Sequence, residues 1–269
     1  MTYNEIFSLY YKEGIPLADI RTVFDYVFHF PFSGLGIHGD MDQISSKEAI
    51  NILNKLKVGY PAVYLSGYDI IRGNKIYLNE NVLIPRTETI EFLYDYVKNN
   101  QDWNQKKILD LCTGSGFIAI SLKSLFPEAE IHASDISDNA LALAEKSAKE
   151  NKKEIKFIKS DFLYNIDYIY DVIISNPPYI EEDSCEVNAP FEPSLALFSG
   201  KDGCDSYRKI FPLLNSHLSS HGLAFFELES TNAKKVATLL DDLTSNSFDE
   251  EIIYDMEGKP RYLKAKKKN

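Results

Sequence analysis

Asn176-Pro177-Pro178-Tyr179 sets an amide side chain beside two consecutive residues that carry no backbone N–H. Such a loop is stiff and holds its carbonyls and the Asn176 side chain in fixed positions. It suits one kind of reacting group, a planar amide or aromatic NH2. The lone pair of such a nitrogen is delocalised, so it is a poor nucleophile. The Asn176 side-chain oxygen and the Pro177 carbonyl can accept its two N–H bonds. They thereby orient it for in-line attack on an activated methyl and favour the positive charge that builds on nitrogen in the transition state. Pro178 completes the corner, and Tyr179 can pack against the planar group. A sulfonium methyl would need no strong base before transfer. The plain alternative is a proline-rich turn that only ends a strand.

A second cluster could hold the donor. In Asp110-Leu111-Cys112-Thr113-Gly114-Ser115-Gly116 the glycines fall where a strand turns into a helix, and they let backbone approach a ligand closely. Gly114-Ser115-Gly116-Phe117-Ile118-Ala119 also matches the dinucleotide fingerprint, so a nicotinamide-dependent oxidoreductase stands as a rival reading. A glycine turn that merely packs a helix is the bland one. Asp135 ends the next strand, where a carboxylate can accept ribose hydroxyls. Asp161 ends the strand after that; it could accept the exocyclic amine of an adenine, with Phe162 against the ring face. Each acid alone could be a helix cap or a loop residue. Three successive strand ends that each carry one favour a nucleoside-binding edge.

The elements that must position these residues follow from periodicity. Strands are read at 108–111, 130–135, 155–159, 171–175, 223–228, 251–254 and 261–264, with helices at 116–126, after Ser137, at 206–218 and at 233–243. Alternating strands and helices imply a mostly parallel α/β sheet with helices on both faces. The last two strands have no helix between them, so the final one should run antiparallel. The first sixty residues read as helical. Ile20, Val23, Phe24, Val27 and Phe28 form one apolar face, and Ser45 with Glu48 is spaced as a capping box ahead of Ile52, Leu53 and Leu56. Residues 31–40, with three glycines and a proline, read as a loop. Residues 68–71 and 75–78 flank Arg72-Gly73-Asn74 as a hairpin, and Thr87 is placed as the N-cap of a helix carrying Ile90, Leu93, Tyr94 and Val97. The expected organisation is a helical domain at 1–66, a hairpin connector at 67–86 and the α/β domain at 87–269.

The whole chain narrows the partners. A net charge of −11 over 269 residues carries no global basic footprint for nucleic acid. Residues 264–268, rich in lysine, read as a solvated end, with an RNA or ribosome-bound partner as the alternative. Cys112, Cys185 and Cys204 show neither metal spacing nor an even count, which fits a reducing cytoplasm. No apolar run is long enough to span a membrane, and the first residues do not read as a signal peptide. His217 and His221 read as surface residues rather than a metal pair, and no metal is expected.

Read together, these motifs resemble the class I, Rossmann-like methyltransferases that modify exocyclic or amide nitrogens. Beyond them, nearly the whole chain resembles the HemK/PrmC family, peptide chain release factor N5-glutamine methyltransferases. The resemblance is carried by 61–67 (PAVYLSG), 82–89 (VLIPRTET), 191–197 (FEPSLAL), 200–203 (GKDG) and 205–210 (DSYRKI). It implies S-adenosylmethionine as cofactor, with roles for Cys112 to Gly116, Asp135, Phe162 and Asn176. It also implies a glutamine held by Asn176 to Tyr179 with Arg86 nearby, and an N-terminal domain that helps bind the release factor, with no stable nucleic-acid binding. The chain departs from the family pattern at Ser199-Gly200, where two glycines are usual, at Phe162, where tryptophan is common, and after Glu227, where the E-x-G-x-x-Q ending is missing. Alternatives are a ribosomal-protein glutamine or nucleic-acid amino methyltransferase, the nicotinamide enzyme, and a catalytically dead binding protein.

Overall fold

Thr2 opens the first helix. Its hydroxyl accepts from the Glu5 amide at 3.2 Å, and the Glu5 carboxylate accepts from the Thr2 amide at 2.9 Å, a reciprocal capping box. The expected box at Ser45 does not form. Ser45 stands at the N-cap position, but its side chain makes no capping hydrogen bond. The computed structural model describes residues 1–40, 43–184 and 189–268, so Cys185 lies outside the described residues.

The chain divides into two units, Met1–Ile70 with Leu78–Glu80, and Ile71–Tyr77 with Asn81–Asn269. The boundary falls inside the hairpin that the sequence reads as a connector. The first unit contains α1 (Tyr3–Lys12), α2 (Leu17–Thr22), α3 (Leu35–His38), α4 (Ser46–Lys57) and α5 (Ala62–Ser66). After α2 the backbone continues as a π-helical turn, Val23–Val27. Ile20, Val23 and Phe24 are fully buried, as their spacing requires, whereas Val27 and Phe28 only pack against the core from its margin. Residues 31–40 are not an open loop: a 3-10 turn over Phe32–Gly34 leads into α3. Aromatic rings fill this small core, with Tyr3 stacked on Phe30 at 4.1 Å.

β1 (Tyr68–Ile71) and β2 (Asn74–Tyr77) make the hairpin. In the second unit β2 is tied to the sheet domain by Ser147, which accepts from the Tyr77 amide at 2.9 Å, and by Asn151, which bonds both backbone groups of Lys75. α6 (Thr87–Glu91) is capped at Arg86, one residue before the expected Thr87, and runs into a π-helical turn, Phe92–Val97, and α7 (Lys98–Asn100). The wider turn brings Phe92 inward to stack on Tyr262 at 3.7 Å.

The α/β region then follows: β3 (Lys107–Leu111), α8 (Phe117–Leu125), β4 (Glu130–Asp135), α9 (Asp138–Glu150), β5 (Lys156–Lys159), β6 (Tyr170–Ser175), α10 (Ser194–Leu197), α11 (Asp205–His217), β7 (Leu218–Glu227), α12 (Ala233–Thr244), β8 (Phe248–Tyr254) and β9 (Pro260–Lys267). Among the described residues they form one seven-stranded sheet in the order β5-β4-β3-β6-β7-β9-β8. β3 to β7 pair in parallel, and β9 runs antiparallel between β7 and β8. Ile173, Ile174, Phe225 and Phe226 are fully buried, each contributing about 1.5–3 kcal/mol of burial free energy. The chain winds outward from β3 to β5 and then returns to place β6 on the other side of β3. That reversal opens a crevice at the C-terminal ends of β3 and β6, where open α/β sheets bind ligands.

The lysine-rich end is not a loose solvated tail. Through Lys267 it belongs to β9. Lys264 pairs with Glu251 at 2.7 Å, and the Lys267 ammonium donates to the Asn215 and Leu218 carbonyls at 2.5 and 2.8 Å.

Candidate functional site

The crevice holds a cavity of about 560 Å3, within the roughly 300–1,000 Å3 of ligand pockets. The turn after β3, the ends of β4, β5 and β6, and the segments 81–89 and 193–209 form its walls. Of the residues read from sequence, Cys112, Thr113, Gly114, Ser115, Asp135, Asp161, Phe162, Asn176 and Pro178 line it. Asp110, Gly116, Pro177, Tyr179 and Arg86 do not, and each has a definable place of its own.

Asp110 is fully buried beneath the glycine turn. Its Oδ2 accepts from the Thr113 hydroxyl at 2.5 Å and from the Ala119 amide at 3.0 Å, which fastens the turn to the first helical residues. Gly116 opens α8 with φ +81°, and a Cβ there would meet the Cβ of Ala144 at 2.9 Å. Only glycine allows α8 and α9 to approach so closely. Asp135 holds the turn from the other side, with one oxygen accepting from the Gly114 amide and the other from the Ser137 amide, both at 2.9 Å. Ser137 in turn caps α9. Each Asp135 oxygen keeps a lone pair for a further donor. Phe162 stands at φ +48°, in a turn held by the Ser160 hydroxyl, which donates to the Phe162 carbonyl and accepts from the Asn165 amide.

Burial pushes the Asp110 carboxyl up to about 7, against the pull of its two donors; burial likewise raises Asp135. The sign follows from linkage. An aspartate ordinarily titrating at 3.8 binds its proton more tightly in the folded protein, so this stability is present at low pH and withdrawn as pH rises from about 4 to 7. Melting temperatures measured between about pH 5 and 8 should therefore fall more steeply for the native protein than for Asp110→Asn. Parallel curves for the two would show that Asp110 does not titrate there.

At the end of β6, Ser175 anchors the corner by donating to the Leu111 carbonyl at 2.7 Å. Asn176 and Pro178 reach the cavity while Pro177 is buried between them. Tyr179 turns inward, and its hydroxyl donates to Glu227 Oε1 at 3.2 Å. Beyond it, Ile180 bridges to the segment around Phe198: the Ile180 amide donates to the Leu197 carbonyl at 2.9 Å, and the Ser199 amide to the Ile180 carbonyl at 2.8 Å. The Ser199 hydroxyl accepts from the Ser206 amide at 2.8 Å, so the residue that departs from the family's glycine pair caps the first turn of α11. Arg208 clamps Asp202 through two bonds of 2.7 and 2.6 Å, and Lys235 adds a third at 2.8 Å. Arg86 pairs with Glu192, whose side chain is buried, linking the 82–89 and 191–197 segments that wall the cavity.

Sequence reasoning missed Glu227, Thr89, Ser199 and Gly203. Glu227 did carry a signal, an acid ending an apolar strand as Asp135 does. Burial raises its carboxyl, opposed by hydroxyl donors from Thr89, Tyr262 and Tyr179. After it, Glu229 caps a 3-10 turn, Ser230–Asn232, where the family's ending is absent. His217 is half-buried rather than a surface residue, its Nε2 bonding the Ile166 carbonyl at 2.9 Å. Among the described residues no group of three or more His, Cys, Asp or Glu side chains could hold a metal, and no helix is long and apolar enough to cross a membrane.

Comparison with known proteins adds the chemistry. Residues 89–191 match the family model described as "Methyltransferase small domain". The chain is 37% identical over 235 residues to a release factor glutamine methyltransferase of Flavobacterium psychrophilum, covering 84% of this chain and 82% of that one. The chain belongs to the release factor glutamine methyltransferase family. The protein of that name from Bacteroides thetaiotaomicron is 36% identical over 81% of this chain and 80% of its own length. A methyltransferase structure from Pyrococcus furiosus superimposes with a TM-score of 0.58 at 16% identity, covering 84% of this chain and 100% of that one. This chain is a class I, Rossmann-like methyltransferase, and its methyl donor is S-adenosylmethionine. The cavity fits that donor. Its volume, two carboxylates on successive strand ends, the Phe162 ring and a glycine turn could hold a nucleoside with a charged tail.

Proposed function

We propose that this enzyme methylates the side-chain amide nitrogen (N5) of the glutamine in the GGQ loop of peptide chain release factors. The observation that carries the reading is the Asn176-Pro177-Pro178-Tyr179 corner at the cavity edge, in a chain of this family. S-adenosylmethionine supplies an electrophilic methyl on a sulfonium when bound. Asn176 Oδ1 and the Pro177 carbonyl accept the two amide N–H bonds, turn the nitrogen towards the methyl and favour charge building on it. The double proline keeps both acceptors fixed before the substrate arrives. Asp135 takes the ribose hydroxyls, Asp161 the adenine amine, Phe162 the ring face, and Cys112 to Gly116 the remainder of the donor. Asp110 and Gly116 act through the turn they hold, and Arg86 through Glu192.

The helical unit helps recognise the release factor, and a protein substrate suits a chain of net charge −11 better than naked nucleic acid does. Acting on release factors places the reaction in the cytoplasm. The test incubates the chain with a release factor and S-adenosylmethionine labelled in its methyl group. Label should appear on the loop glutamine. Label on RNA or on a ribosomal protein instead would overturn the substrate, and thermal stabilisation by NAD but not by S-adenosylmethionine would overturn the cofactor assignments.

A further inference from the structure

Glu227 ends β7, and the preceding Phe226 is the register partner of Ser175, so Glu227 stands beside Asn176 at the sheet edge. It is only 2% exposed. Three hydroxyls from three separate segments converge on its carboxylate: Thr89 at 2.6 Å and Tyr262 at 2.5 Å on Oε2, and Tyr179 at 3.2 Å on Oε1. The Tyr207 hydroxyl holds its backbone carbonyl at 2.7 Å. Of the three carboxylate donors, Thr89 lines the cavity. A hydroxyl has one hydrogen, and Thr89 has given its hydrogen to a buried carboxylate, so only lone pairs remain for anything in the cavity.

We propose that Glu227 is a positioning and specificity-determining residue: it fixes Thr89 as an acceptor-only group, so that the wall beside Asn176 receives N–H donors and refuses a carboxylate. The inference rests on the glutamine reading above. Glutamine and glutamate differ by one NH2 in place of one oxygen, and shape alone separates them poorly. A wall of fixed acceptors separates them well, because a carboxylate would bring acceptors to acceptors. Asn176 and the Pro177 carbonyl alone could be approached by a rotated side chain; a third acceptor with its hydrogen locked away removes that option.

Glu227→Gln tests this, because its NH2 can donate to Thr89 and release the Thr89 hydrogen towards the cavity. The variant should lose about tenfold in kcat/KM for the release factor, as for a hydrogen bond to a charged group. Its Kd for S-adenosylmethionine, measured by calorimetry, should stay within about twofold. A release factor carrying glutamate at the loop position should inhibit the variant about tenfold more strongly than it inhibits the native enzyme. Unchanged kcat/KM together with unchanged inhibition would overturn the proposal. Should Glu227→Gln fail to fold, Thr89→Ser against Thr89→Val decides: the serine should keep activity and the valine lose about tenfold, and equal activity would refute the role. A native enzyme that does not label release factor sinks the functional reading, whereas native labelling with variants that match it sinks only this inference.

Discussion

Asn176→Ala should lower kcat on a release factor by about 10²–10³-fold and leave a folded protein with a nearly native melting temperature. The size follows from what the side chain does in the mechanism. In the proposed mechanism it is one of two fixed acceptors for the reacting NH2, and such preorganised groups act where charge develops. The small stability effect follows from its place. Asn176 is half-buried at the end of β6 and belongs to no core cluster among the described residues, while the strand end is held independently by the Ser175 hydroxyl on Leu111. Steady-state kinetics with labelled donor, together with thermal melting, check both halves. Full activity in the variant would refute the assigned role.

Nine of the residues that touch the cavity were legible in the sequence, as were Asp110 and Gly116 beneath them, whereas Thr89 and Glu227 were not. Asp135, Asp161 and Asn176 announce themselves because each stands at the end of a recognisable strand, and alternating strands and helices bring such ends to one edge. The fold was legible for the same local reason, down to the antiparallel last strand. Thr89 and Glu227 lie 138 positions apart, and no spacing rule joins them. Glu192, 106 positions from Arg86, is likewise a partner that no spacing rule could have named. Capping illustrates the limit from the other side. Thr2-Glu5 and Ser45-Glu48 have equal sequence credentials, yet only the first closes into reciprocal hydrogen bonds. The lysines of β9 looked like a tail because composition is blind to partners, and Glu251 and the carbonyls of Asn215 and Leu218 are those partners.

The second large effect is expected at a glycine that does not line the cavity. Gly203 stands at φ +68°, and a Cβ on it would meet the Tyr179 carbonyl oxygen at 2.4 Å and Asn232 Nδ2 at 3.0 Å. The side chain of Asn232 can give way, but the Tyr179 carbonyl cannot without moving the backbone of the corner. That backbone is pinned on its far side by the Ile180 bridge to Phe198 and by the Tyr179 hydroxyl on Glu227. In Gly203→Ala the displacement therefore passes into Pro177 and Asn176. Misplacement by about 1 Å of a group that must orient a nitrogen costs on the order of 10²-fold in rate. The left-handed backbone adds strain of roughly 1 kcal/mol or more, so some loss of melting temperature should accompany it. Gly203→Ala should thus lower kcat about 100-fold, with a Kd for S-adenosylmethionine near native, because the Asp135 and glycine-turn side of the cavity lies on other elements. Equal losses in donor affinity and kcat would mean that the whole cavity had collapsed, and native kcat would mean that the corner does not depend on this close approach.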